Sequence, residues 1–187
     1  MPVSLLSLWL PTLLSAAVVF AASFIAWTVL PHHRSDWAPI PEERRFLDAL
    51  RSHGLPRGQY AFPNAMTREG SRSPDAPGRL AEGPVGFLIV ARPGSPDMPK
   101  RLLQQFLFVL AVSFMVGYVG YAAVESGADF PHVFRVLATS AILAYAAAEI
   151  PRGIWFGRSW TSVWKSVADG IAFGLLTGGV FAWLWPG

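Results

Sequence analysis

Residues 167–185 read VADGIAFGLLTGGVFAWLW, nineteen positions with a single charge, crossed by Gly170, Gly174 and Gly178. A four-residue spacing puts these glycines on one helical face, where a neighbouring backbone approaches closely. In water, each interior glycine costs such a helix about 1 kcal/mol against alanine. In lipid the same face is a packing groove of the glycine-zipper kind. The segment therefore predicts a membrane bundle assembled around this helix.

Three other apolar runs are long enough to join it. Residues 8–30 carry no charge over 23 positions, and a span needs about 20. The preceding MPVSLLS lacks a basic stretch and the run is longer than a secretory signal's, so a retained span is expected. Residues 102–124 form the second run, with Ser113, Gly117 and Tyr121 on one face. The third covers 130–150, with Asp129 placed to cap it and Pro131 near its first position. Only 14% of the chain is charged, against 52% hydrophobic, where a soluble domain carries about 25% charged residues. The expected fold is all-α: a four-helix transmembrane bundle, with a small α+β insert between helices 1 and 2.

That insert is residues 31–101. Pro41 opens EERRFLDALRSHG, with acids in the first turn and Gly54 beyond the end, which predicts a helix over about 41–53. Phe46, Leu47 and Leu50 make its apolar stripe, suited to the bilayer surface or to the strands that follow. Residues 58–63 and 85–92 read as two short strands that could pair as a hairpin. Between them lies a stretch of Gly, Pro, Ser and charged residues that reads as a loose loop.

Charge position orients the bundle. Of fifteen basic residues, eleven fall in 31–101 and three in 151–166, which four spans place on the same side. Arg135 alone falls on the other. The positive-inside rule puts the insert in the cytoplasm and both termini outside. Thirteen of the basic residues are Arg and two are Lys, a bias typical of GC-rich bacterial genomes, so a bacterial inner membrane is the expected location. The net charge of +3 sits beside the spans, so the bilayer is the expected partner and nucleic acid is not.

The chemistry legible here is sparse. No cysteine is present, which excludes disulfides, thiolate catalysis and iron–sulfur ligation. There is no Walker loop, GxSxG, HExxH or dinucleotide fingerprint, and no cofactor is expected. His32 and His33 are candidate metal ligands, but a site takes three or four donors. His132 is expected on the opposite side and His53 in the insert, so the pair reads as marking the interface. Lys165 and Asp169, four apart, are placed to pair across one helical turn. Asp169 could otherwise hold a proton or cation beside the Gly170 groove. Arg135 and Glu149 stand at opposite ends of span three, about 21 Å apart, close enough to an interface to snorkel. Gly117, Gly170, Gly174 and Gly178 are the expected packing residues, within the chain or between subunits.

The boundary Pro31-His32-His33-Arg34-Ser35-Asp36, the segment Gly83-Pro84-Val85-Gly86-Phe87 and the Trp155, Lys165, Asp169-Gly170 series resemble a family of small uncharacterised bacterial four-span membrane proteins. The resemblance covers most of the chain and implies one span, an insert, then three spans. It implies no activity and no site residues.

The function expected from these features is that of a non-enzymatic accessory or assembly subunit, with a membrane-protein partner or as a homo-oligomer. A small homo-oligomeric transporter or channel is the alternative. A membrane-bound enzyme acting on lipid or metal ranks last, since it requires His32, His33 and Asp36 to converge with acids from the insert.

Overall fold

The computed structural model describes residues 3–65 and 67–187. Helix α1 (Trp9–Phe24) continues into a π-helical turn, Ile25–Val29, followed by a 3-10 turn, Pro31–Asp36. Helix α2 (Glu43–Ser52), strand β1 (Gly58–Phe62), helix α3 (Ala76–Glu82) and strand β2 (Gly86–Val90) come next. The chain ends in α4 (Met98–Ala123), α5 (Phe130–Ala146), α6 (Glu149–Phe156) and α7 (Trp160–Trp183). Contacts divide it into two units, one of Met1–Asp36 with Pro96–Gly187 and one of Trp37–Ser95.

The first unit holds four helical stretches long and apolar enough to cross a membrane: Leu5–Val29, Met98–Ala123, Phe130–Phe156 and Trp160–Trp183. Its closest helix pair is α5 with α7, and the glycines explain why. A Cβ placed on Gly170 would lie 2.9 Å from the Ala146 Cβ, and one on Gly178 would lie 2.5 Å from the Ala138 Cβ. One on Gly174 would overlap Ile142. The glycine face is therefore spent inside the chain, against α5. Gly117 on α4 does a related job: a Cβ there would come within 3.2 Å of the Phe181 ring, and Phe181 is fully buried.

Around Phe181 the core collects Val116, Val133, Leu137, Ala141 and Ala182. A second cluster joins α1 to the rest through Ala16, Val19 and Val109, with Tyr145 and Phe173 packed on it. The C-terminal tail closes the far end. The Trp185 indole donates to the Glu125 carbonyl at 2.9 Å, and the Gly127 N–H donates to the Pro186 carbonyl at 2.9 Å.

Helix boundaries depart from the sequence expectation at three places. The third helix, expected to reach residue 150, stops at Ala146, and α6 follows as a separate short helix. The fourth begins at Trp160 rather than 167, because the Ser159 hydroxyl caps it by accepting from the Ser162 N–H at 3.3 Å. The second starts at Met98, where the Asp97 carboxylate accepts from the Lys100 N–H at 3.1 Å. Asp129 occupies the cap position of α5, but its side chain makes no capping bond.

The second unit, Trp37–Ser95, is thin. Strands β1 and β2 pair antiparallel, with Gly58 opposite Val90 and Phe62 opposite Gly86. Gly86 is needed there: a Cβ would lie 2.9 Å from the Phe62 ring folded over it. The stretch expected as a loose loop contains α3. Among the described residues of this unit, Ala76 alone is buried.

Candidate metal centre

Two short pieces of backbone build the site. The first follows α1. At its end the Leu30 N–H donates five residues back, to the Ile25 carbonyl at 3.0 Å, closing the π-helical turn. Pro31, with its fixed φ and no N–H, then starts the 3-10 turn. In that geometry residues three apart eclipse one another, so the His33 ring meets Asp36. Its Nδ1 lies 2.6 Å from Asp36 Oδ2.

The second piece is the N-terminal part of α7, where Ser162, Lys165 and Asp169 recur at helical spacing on one face. Asp169 receives both histidines. His33 Nε2 is 2.7 Å from Asp169 Oδ2, and His32 Nε2 is 3.1 Å from Asp169 Oδ1. Lys165 Nζ donates to Asp36 Oδ1 at 2.9 Å and to the Ser35 hydroxyl at 2.8 Å. The Trp27 indole covers His33, with centroids 3.9 Å apart and planes within 6°. The side chains of His33 and Asp36 are 4% exposed, whereas Asp169 is 18% and His32 29% exposed. One edge of the cluster is thus sealed and the His32 edge is open.

The electrostatics call for a cation. Two carboxylates, Asp36 and Asp169, face one ammonium, Lys165. Ionised carboxylates only accept hydrogen bonds, and His33 holds one ring nitrogen against each of the two. A metal ion at the cluster would supply balancing positive charge. Burial pushes the Asp36 carboxyl up, but hydrogen bonds from His33, Lys165 and Ser162 outweigh it and hold the group at about 2. The donor atoms of His32, His33 and Asp169 lie within 4.8 Å of one another, close enough to share one ion.

A second ion pair continues the network. Gly157, at φ 64°, ends α6 and turns the chain back, so that the Arg158 N–H donates to the Arg152 carbonyl. The Arg158 guanidinium then reaches Glu149, the Ser162 hydroxyl at 3.0 Å and the Ser166 hydroxyl at 2.9 Å. Ser162 thereby stands between the Glu149–Arg158 pair and Asp36.

The structure rearranges the residues singled out by sequence. Lys165 and Asp169 do not pair with each other: each turns to a different residue of the Pro31–Asp36 turn. Arg135 is exposed and forms no ion pair among the described residues, while Glu149 pairs with Arg158 and Arg152. His32 and His33 gain the third donor that seemed missing. It comes from α7 and not from the insert, and His53 and His132 stay exposed elsewhere. Trp27, Ser162 and Arg158 carry no sequence signal for these roles. The His33–Asp36 spacing does carry one, because a proline-initiated 3-10 turn brings positions three apart together.

No family model, curated protein or solved structure matches the chain.

Proposed function

We propose that this chain is an integral membrane protein that binds one divalent transition-metal ion through His32 Nε2, His33 Nε2 and the Asp169 carboxylate. One observation carries the reading: two imidazole Nε2 atoms converge on one carboxylate while Asp36 takes the far nitrogen of His33. Metal-ligating histidines habitually donate their other N–H to a carboxylate, which fixes tautomer and ring orientation. Two imidazoles and one carboxylate suit zinc or ferrous iron and leave coordination positions open. Calcium and magnesium favour all-oxygen cages. The open positions face the His32 edge, the more exposed side.

In a bilayer the site lies at the hydrocarbon boundary. Residues 170–183 of α7 rise only about 21 Å, short of the roughly 30 Å core, which supports Asp169 lying near the rim on the N-terminal side of α7. Exposed Trp155, Trp160 and Trp164 nearby suit headgroup level. The distribution of basic residues supports a cytoplasmic site and insert in a bacterial inner membrane. The setting remains an accessory or assembly subunit of a membrane complex, with the ion tying the end of α1 to α7. A channel finds less support, since the fully buried polar side chains Ser15, Ser113 and Thr177 are hydroxyls without charge.

The test is metal analysis of the chain purified in mild detergent, stripped with chelator and titrated with zinc or cobalt. One ion per chain is expected, lost in His33→Ala and in Asp169→Asn. Absence of a bound ion in the wild type, or equal loading in His33→Ala, would overturn the assignment. Identifying the proteins that copurify from native membranes tests the accessory role separately.

A further inference from the structure

Helix α2 (Glu43–Ser52) is amphipathic and uncovered. Phe46, Leu47 and Leu50 form its apolar stripe, yet Phe46 and Leu47 are each 38% exposed, and none of the ten residues is buried. Arg45 and Asp48 lie on the opposite side, Arg45 paired with Glu42 and Asp48 with Arg51. Trp37 and Ile89 of the same unit are exposed as well. A short helix like this has little stability alone in water. It needs a surface.

We infer that α2 is an interfacial helix, lying in the plane of the bilayer surface with Phe46, Leu47 and Leu50 at the headgroup–acyl boundary. Chain continuity selects this partner. Trp37 directly follows the turn at the end of the first span candidate, and Ser95 stands three residues before the second begins at Met98. Both ends of the unit are thus tied to the same bilayer face, which fixes a lipid surface at very high effective concentration. Charge agrees, with eight arginines against six acidic residues across the unit. Arg44 and Arg51 flank the stripe, where their stems lie along apolar surface and their guanidinium heads meet anionic headgroups. The inference is independent of the metal site.

The absence of native cysteine makes the test direct. Full-length Leu50→Cys and Asp48→Cys, each carrying a nitroxide label, are reconstituted in phosphatidylcholine–phosphatidylglycerol vesicles. Collisional accessibility is then read with oxygen, which partitions into lipid, and with a water-soluble nickel chelate. The label at 50 is expected to favour oxygen and the label at 48 the chelate. Adding Phe46→Ser and Leu47→Ser should return position 50 to the chelate, with the melting temperature of the bundle unchanged. Equal chelate accessibility at both positions would overturn the inference, as would protection of position 50 from both reagents, which means a protein surface covers it.

Discussion

The Trp27 indole lies flat on the His33 imidazole, with centroids 3.9 Å apart and planes 6° from parallel. The stack holds the ring on the line between Asp36 and Asp169. Trp27→Leu removes this support without touching a donor atom. It should weaken zinc binding by about 10–100-fold, the usual effect of losing an outer-shell partner. Trp27→Phe should retain most of the affinity. Competition with a fluorescent chelator measures both, and unchanged affinity in Trp27→Leu would deny the stack any role.

Asp36 gives the fold an acid sensitivity of known sign. Its carboxyl is held at about 2, below the ordinary 3.8. The unfolded chain therefore binds more protons in this window, and stability rises with pH. The contribution is complete above 3.8 and is lost as pH falls toward 2. Metal-free wild type should lose more melting temperature over this range than Asp36→Asn, as followed by tryptophan fluorescence. Parallel curves would show that Asp36 is uncoupled from folding.

The α5–α7 seam distinguishes two glycines of α7 that lie five residues apart. Gly174 meets Ile142 directly, whereas nothing lies within 4 Å of a Cβ on Gly179. Gly174→Leu should destabilise the bundle by about 1–3 kcal/mol through overpacking. Gly179→Ala should leave it unchanged or raise stability by up to about 1 kcal/mol through helix propensity. Thermal melts in detergent read both, and equal effects would remove close packing as the reason for the first.

Arg158 serves Glu149, Ser162 and Ser166 with one planar fork. A lysine ammonium cannot match that geometry. Arg158→Lys should cost about 2 kcal/mol, the scale of a lost charge-assisted hydrogen bond. Melting with wild-type stability would show that a point charge suffices at this position.

The four helices long and apolar enough to cross a membrane were legible because length and apolarity are carried by the sequence itself. The start of α7 was not, since the expected helix began at 167 while the Ser159 cap starts it at Trp160. The site was half legible. Adjacent histidines drew notice, but the third donor lies 136 residues from His33 in sequence. Local spacing favoured Lys165 as the partner of Asp169. Tertiary geometry offered Asp169 two imidazoles and gave Lys165 the sealed carboxylate of Asp36. The amphipathic pattern of α2 was plain, and what remained open was which surface it meets.

The π-helical turn at Ile25–Val29 sets the phase at which His32 and His33 reach Asp169. Such a turn accommodates one residue more than regular α-helix, and each α-helical residue advances about 100° around the axis. The turn absorbs that residue, so deleting one here would restore regular α-helix and leave His32 and His33 in phase with Asp169. A further residue gained would find no such slack and would swing both histidines around the axis. Chain length at this one point works as a setting that tolerates a codon lost and fails on a codon gained.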